Sequence, residues 1–568
     1  MDDETRIKLS LWLDSLKADD PLRVELLTAD DEDIRDRFYK SLTFGTAGLR
    51  GKMGAGTNRM NRFTVAQASR GFGEYLRRGN ESPSIAVAYD TRIGSRDFAL
   101  LTARVMARLG IKVYMYPEAM PTPMLSFAVR RLNCSGGVMI TASHNPKEYN
   151  GYKAYGPDGS QIDEDCAARI LGYIVKEDLF SSAEELSPPD DPKIVPVPES
   201  VCHEFYKLSA DCVIEKDAIS QADLKILYTP LNGTGLVPVR TVLASLGVKN
   251  FTVVSSQEKP DGNFPTCPRP NPEINEAFSE AVALAKTDLP DIIIATDPDS
   301  DRMACAEPYN GSFQYFTGNE IGILFIDYEL SRRAEHLTVP KDPFVVKSIV
   351  SSPLADMAAE YYGCRMESVL TGFKNIAGKL REHENKGDAD CFILGYEESI
   401  GYQFGLFVRD KDAVTSTAKL VEMASWYKMK GLTLRDALES IYERLGFCVQ
   451  KNTSFYYEGE KGGLTMAGIM DTLRRSAPGT LGGKTVLSVT DYLSGRKTDI
   501  IEGQVRNVDI PRSNVLIFTL EDDCSVIVRP SGTEPKLKLY CSAISPERES
   551  ANDTIEKIYR DMESYCKV

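Results

Sequence analysis

Four short apolar runs, each emptying into a polar loop, constrain this chain more than any other feature. Gly137-Val138-Met139-Ile140 leads into Thr141-Ala142-Ser143-His144-Asn145-Pro146. Asp291-Ile292-Ile293-Ile294-Ala295 leads into Thr296-Asp297-Pro298-Asp299-Ser300-Asp301-Arg302. Cys391-Phe392-Ile393-Leu394 leads into Gly395-Tyr396-Glu397-Glu398-Ser399-Ile400-Gly401, and Cys524-Ser525-Val526-Ile527-Val528 into Arg529-Pro530-Ser531-Gly532-Thr533-Glu534-Pro535-Lys536. Short apolar runs bounded by turn residues read as buried strands. Between them lie helical patterns, such as 65–76 and 97–109, and further strands at 85–89 and 113–116. Alternating strand and helix predicts mostly parallel sheets, whose ligands sit at the carboxyl ends of the strands.

At 568 residues the chain exceeds what one core can organise. Texture places the divisions at 1–200, 201–315, 316–446 and 447–568. The first part opens with a polar helix pair reaching about Lys40 and ends in the Pro- and acid-rich stretch 186–200. The second carries strands at 224–228 and 251–254, helices at 237–246 and 275–286, and a Pro/Asn-rich loop from Lys259 to Pro272. The third closes with a helical stretch over about 413–446, and the last reads as α+β. The net charge of −15 disfavours nucleic acid and anionic membrane as partners. Twelve cysteines without a CxxC pair read as reduced thiols of a cytoplasmic protein. The acidic opening Met1-Asp2-Asp3-Glu4 lacks a signal-peptide pattern, and no run approaches the roughly 18 apolar residues of a membrane span.

The loops carry the chemistry. Three carboxylates at alternate positions, Asp297, Asp299 and Asp301, turn to one side if the loop curls, and together they repel unless a cation relieves them. A hard divalent ion such as Mg²⁺ suits oxygen ligands. An EF-hand needs glycine and glutamate where this chain has Arg302 and Pro308. Glu397 and Ser399, two apart, suit adjacent sugar hydroxyls. Arg529, Ser531 and Thr533 around Gly532 make a phosphate cradle. Phe44-Gly45-Thr46-Ala47-Gly48-Leu49-Arg50-Gly51 lets backbone N–H groups and Arg50 approach an anion. Lys153, ten residues after Ser143, is placed to reach back over the serine. Each loop alone is also compatible with an ordinary turn.

The four motifs in this order resemble the α-D-phosphohexomutase family, the phosphoglucomutase and phosphomannomutase group, from about Phe44 to about Tyr540. The resemblance implies three similar mixed-sheet α/β domains and a C-terminal α+β domain around a central cleft. It implies that Ser143 carries a phosphoryl group and that Asp297, Asp299, Asp301 and a phosphoserine oxygen on Ser143 bind Mg²⁺. Ser143, Lys153, Arg50 and His144 are then the catalytic candidates. Thr46, Arg302, Thr371, Gly372, Lys374, Glu397, Ser399, Lys411, Arg529, Ser531, Gly532 and Thr533 are the substrate-binding ones. The expected reaction interconverts glucose 1-phosphate and glucose 6-phosphate through glucose 1,6-bisphosphate. The stretches Lys147–Lys153 and Thr371–Lys374 look closer to the branch that also holds phosphopentomutase and glucose-1,6-bisphosphate synthase, so those activities and phosphomannomutase are the alternatives, with a non-catalytic phosphosugar-binding scaffold behind them. Tyr402 stands where some bacterial relatives have histidine. A serine hydrolase lacks its Gly-x-Ser-x-Gly elbow here. A monomer or weak homodimer is expected.

Overall fold

The structure, a computed structural model, describes residues 2–567 except 47, 288, 458, 509–510 and 532–535. The chain divides into two compact units. The first runs to Gly318 and also takes Leu380–Asp390 and Ser399–Gly431; the second comprises Asn319–Lys379, Cys391–Glu398 and the chain from Leu432 onward.

The first unit opens with three helices, Asp3–Ser15, Pro21–Thr28 and Asp31–Phe38, rather than the expected pair. The reason is local: Asp2, Asp20 and Asp30 each accept a backbone N–H in the first turn that follows, and Pro21 fits only the start of a helix. Trp12 then gathers Phe38, Phe63 and Phe180 edge-on, with centroids 5.5–5.9 Å away.

Two sheets follow in this unit. The first has the order Leu49–Lys52, Tyr149–Tyr155, Gly136–Ile140, Ser84–Tyr89, Lys112–Met115, Ile194–Pro196. The second has the order Ser312–Tyr315, Met303–Tyr309, Ile292–Thr296, Lys225–Thr229, Asn250–Val253. Both are mixed. Tyr149–Tyr155 and Met303–Tyr309 run antiparallel to both neighbours, while the other pairings are parallel. Connection length explains the hairpin partners, because a short loop can only return a strand antiparallel, whereas the parallel pairs are bridged by helices such as Ser95–Arg108 and Leu236–Ser245; Leu49–Lys52 instead joins its antiparallel partner from far earlier in the chain. Gly136–Ile140 and Ile292–Thr296 are buried at every position, hence their unbroken apolar runs. Val65, Phe72, Ile85, Val87, Val138, Ile140 and Tyr152 share one core, each large side chain contributing about 1.5–3 kcal/mol of burial.

In the second unit Arg365–Val369, Phe344–Ser348 and Phe392–Glu397 pair in parallel. A large antiparallel sheet follows, in the order Phe447–Tyr456, Lys536–Ser545, Ser525–Pro530, Leu516–Leu520, Lys484–Asp491, Arg496–Asp499, Val505–Asn507. The helix Arg548–Cys566 covers it, through Ile555, Ile558 and Met562.

Two helical expectations need correction. The stretch 413–446 is two helices, Ala413–Met429 and Leu434–Leu445. Gly431, at φ +74°, ends the first, and Thr433 with Asp436 forms a capping box that starts the second. The stretch 275–286 is a short 3₁₀ turn, Asn275–Phe278, followed by the helix Ser279–Ala285. Among the described residues no helix is long and apolar enough to cross a membrane, and all twelve cysteines are free thiols.

Candidate active site

Ser143 stands just beyond the buried strand Gly136–Ile140, is 3% exposed, and holds a left-handed backbone at φ +52°. Its Oγ donates to Asp297 Oδ2 at 2.8 Å and lies 3.1 Å from His144 Nδ1. Burial, with the charges of Arg302 and Arg50, pushes His144 well below the usual imidazole value, so its ring is neutral at physiological pH.

The acidic loop curls as the alternating pattern requires. Ser300 adopts φ +51°, and Asp297 Oδ1 accepts the N–H groups of Asp301 and Arg302 at 3.1 and 3.0 Å. The carboxylates of Asp297, Asp299 and Asp301 are all buried and offer oxygens within 4.8 Å of one another. Burial, then the charges of Asp299 and Asp301, push Asp297 well above the ordinary carboxylate range. Burial works the same way on Asp299, but Lys153, whose Nζ is 2.8 Å from Asp299 Oδ2, outweighs it and holds that carboxylate low. Lys153 also lies 3.4 Å from Asp301, and Lys411 lies 3.1 Å from the same oxygen. Among the described residues, Asp299 Oδ1 and Asp301 Oδ1 are buried without a hydrogen-bond partner. Orphaned carboxylate oxygens in a buried group of this kind fit a hard cation, so this group could hold a metal ion.

Lys153 is 5% exposed in the antiparallel strand Tyr149–Tyr155, directly opposite Met139. Sheet pairing therefore returns it to the serine. Arg50, exposed, donates to Asn145 Oδ1 at 3.2 Å, and Arg302 Nη1 donates to the carbonyl of Ser399 at 3.3 Å. Thr46 lies in the turn closed by Gly45 and Gly48. Thus the first unit brings Ser143, His144, the three aspartates, Lys153, Lys411 and Arg302 into one continuous set of contacts.

The remaining candidates belong to the second unit, apart from Ser399. Glu397 ends its buried strand and accepts the N–H of Gly372 at 2.6 Å; Gly372 holds φ +106°, open to glycine and strained for other residues. Thr371 lends its carbonyl to Asn375 at 3.0 Å, and Lys374 lies in the first turn of the helix that starts at Phe373. Arg529 is half-buried in the strand Ser525–Pro530, opposite Lys538, and the Ser531 N–H bonds the carbonyl of Lys536 at 2.8 Å. Gly532 and Thr533 lie outside the described residues. Tyr402 is buried at 1% exposure, its hydroxyl on the carbonyl of Gly318.

Two contacts had no sequence signal. Thr122 Oγ1 donates to Asp299 Oδ2 at 2.9 Å from the first residue of a helix. Asp410 gathers Tyr155, Gln161 and Lys411 at 2.7, 2.9 and 3.0 Å.

Residues 41–180, 204–311 and 317–445 match the alpha/beta/alpha domains I, II and III of phosphoglucomutase/phosphomannomutase, and residues 502–558 match its C-terminal domain. A Staphylococcus epidermidis phosphoglucomutase is 39% identical over 514 residues, spanning 90% of this chain and 92% of that protein. The chain belongs to the phosphoglucomutase/phosphomannomutase family. A second relative, a Staphylococcus aureus phosphoglucomutase, is 38% identical over 552 residues and spans 96% of this chain and 97% of that one. In fold, the chain is similar to a phosphoglucomutase/phosphomannomutase family protein from Burkholderia thailandensis, with TM-score 0.67 and 19% identity over 92% of this chain and 97% of that one. It is equally similar to pp63/parafusin from Paramecium, at TM-score 0.67 and 18% identity over 93% and 95% of the two chains. The three α/β domains and distinct C-terminal domain expected from the motifs are those of the family.

A pH dependence arises beside Glu397. Burial, followed by the charge of Glu397, raises Glu398 to about 7, with Ser348 Oγ donating to it at 2.9 Å. A carboxyl whose folded pKa lies above its unfolded value keeps a proton the unfolded chain has released. Stability therefore falls as pH rises from about 4.5 to about 7, then levels. Glu398→Gln should flatten that slope, so the variant's melting temperature relative to the parent should climb between pH 5 and pH 8.

Proposed function

We propose that this chain is a phosphoglucomutase acting through a phosphorylated Ser143. The observation that carries the reading is the hydrogen bond from Ser143 Oγ to Asp297, a member of the buried acidic triad. A serine meant for hydrolysis would donate to a histidine backed by an acid, whereas this one donates to a carboxylate of a triad that could hold a cation.

In this reading a sugar hydroxyl of glucose 1-phosphate attacks phosphoserine in line. The phosphorus–Oγ bond breaks, the proton released by the sugar hydroxyl passes to Ser143 Oγ, and glucose 1,6-bisphosphate forms. After the bisphosphate reorients, Ser143 Oγ takes the other phosphoryl group and glucose 6-phosphate leaves. Mg²⁺, held by Asp297, Asp299 and Asp301, would draw charge from the phosphoryl oxygens. With Asp297 on the cation, the group placed to exchange a proton with Ser143 is the neutral His144, whose Nδ1 lies 3.1 Å from Oγ and accepts in its Nε2–H tautomer. Lys153 is buried between Asp299 and Asp301, whose charges hold its proton on Nζ against the cost of burial; it serves as a donor toward developing charge. Arg50 and Lys411 add positive charge, Glu397 and Ser399 receive sugar hydroxyls, and Arg529 with Ser531 and the residues after it receives the second phosphate.

A coupled assay across glucose, mannose and ribose 1-phosphates, with a trace of the matching bisphosphate, tests the reading. The highest kcat/KM is expected with glucose 1-phosphate. A clear preference for ribose would move the assignment to a phosphopentomutase. No turnover on any of them, with no phosphate on Ser143 by mass spectrometry, would end it in favour of a binding scaffold.

A further inference from the structure

Ser143 is held by both of its peptide groups. Its N–H donates to Thr141 Oγ1 at 2.8 Å, and that hydroxyl donates to Asp90 Oδ2 at 2.6 Å. Its carbonyl accepts from Arg92 Nη2 at 2.5 Å. The same guanidinium reaches the carbonyls of Asn145, Pro146 at 2.8 Å and Tyr149 at 3.2 Å. Asp90 and Arg92 face each other, Nε to Oδ2 at 3.2 Å, with both side chains at 0% exposure. Asp90 also takes Ser95 Oγ at 2.6 Å and the Arg92 N–H at 3.0 Å. One buried ion pair therefore anchors the serine from its amide side and its carbonyl side at once.

The pair is itself backed by the Pro/Asn-rich loop of the sequence. Phe264, fully buried and at φ +47°, sets its ring 5.0 Å from the Arg92 guanidinium. Gly262 packs so closely that a Cβ would lie 2.4 Å from the Ile93 nitrogen and 2.8 Å from the Arg92 carbonyl carbon. A left-handed backbone at a serine or phenylalanine costs about 1–3 kcal/mol and persists only where surrounding contacts over-determine it. Here those contacts converge on Ser143 from a different strand end, Ser84–Tyr89.

We infer that Arg92 and Asp90 are positioning residues for phosphoryl transfer, a clamp that fixes the Ser143 backbone so that its Oγ meets the acidic triad. Neither side chain touches substrate in this inference; both act through the 141–149 loop. The inference rests on the reading of Ser143 as the phosphoryl carrier. Arginine is required because one planar fork spans four carbonyls, which a lysine point charge does not.

Two variants test it: Arg92→Met, and Thr141→Val, which removes the amide-side link at constant shape and keeps the test open if the buried arginine proves essential for folding. Both are expected to lower kcat about 100-fold, as a displacement of about 1 Å does, with KM within about threefold. The single-turnover rate of Ser143 phosphorylation by glucose 1,6-bisphosphate should fall in parallel, and Arg92→Lys should not restore it. Folded variants with parental kcat and phosphorylation rate overturn the inference. So does a crystal structure of either variant with Ser143 still left-handed and its Oγ still on Asp297, whatever the activity. If the parent enzyme itself takes no phosphate on Ser143, the mutase reading fails, and that crystal structure alone judges the clamp.

Discussion

Ser143→Ala should abolish mutase turnover, by at least about 10⁴-fold, while leaving a folded protein. The size follows from the role: a group that carries the transferred phosphoryl has no substitute, so removal of the nucleophile leaves only binding and electrostatics. The small effect on folding follows from the contacts. The hydroxyl makes one hydrogen bond to Asp297 and one to His144, and a typical bond contributes about 1 kcal/mol net. A second substitution separates backbone from chemistry. Ser143→Gly should be equally inactive yet melt above Ser143→Ala, because glycine accepts φ +52° without steric cost. The measurements are kcat in the coupled assay and calorimetric melting of both variants. Residual turnover in Ser143→Ala within tenfold of the parent would remove the serine from the mechanism.

Asp297→Asn should lower activity by about 10²–10³-fold and, in EDTA, raise rather than lower the melting temperature. Losing one anionic ligand removes several kcal/mol of transition-state charge stabilisation. The stability sign is opposite to that of most buried-polar substitutions. The folded chain pushes Asp297 well above its ordinary pKa through burial and through Asp299 and Asp301, so its ionised form destabilises the fold at neutral pH when no cation is bound. Asparagine removes that repulsion; its amide oxygen keeps the N–H groups of Asp301 and Arg302, and its NH2 turns to donate to Ser143 Oγ. In the parent, Mg²⁺ at one hundred times its dissociation constant should add about 2.7 kcal/mol of stability. That increment should shrink in the variant. A lower melting temperature for Asp297→Asn in EDTA would show that the triad is not under repulsion.

What the sequence made legible was local. Alternation of acids at 297, 299 and 301 and the apolar run ahead of them sufficed to locate a buried carboxylate group that could hold a cation. The hydroxyl and small residues of 141–146 marked a second strand end. That these two loops meet, across a separation of 154 residues, came from family resemblance rather than from any pattern in the residues. Thr122 escaped notice because a threonine opening a helix has an ordinary capping explanation, and its partner Asp299 lies 177 residues away. Arg92 escaped notice as well, since nothing in Asp90-Thr91-Arg92 shows that its donors would be absorbed by a neighbouring loop. The errors in helices were errors of punctuation. Asp30 and Gly431 each have weak signals in sequence, yet each decides where one helix stops and another begins.

The distance between Ser143 and Lys153 is set by a ladder rather than by a tether. Thr141 already bonds the carbonyl of Gly151, and Ile140 and Met139 pair with Tyr152 and Lys153 in turn. Side chains along a strand alternate faces, so one residue inserted between Gly151 and Lys153 would turn the ammonium to the far side of the sheet. A homologous chain cannot freely lengthen the tip of this hairpin, because Arg92 grips the carbonyls of Ser143, Asn145, Pro146 and Tyr149 within it. It can alter the rungs below Gly151 only in steps of two.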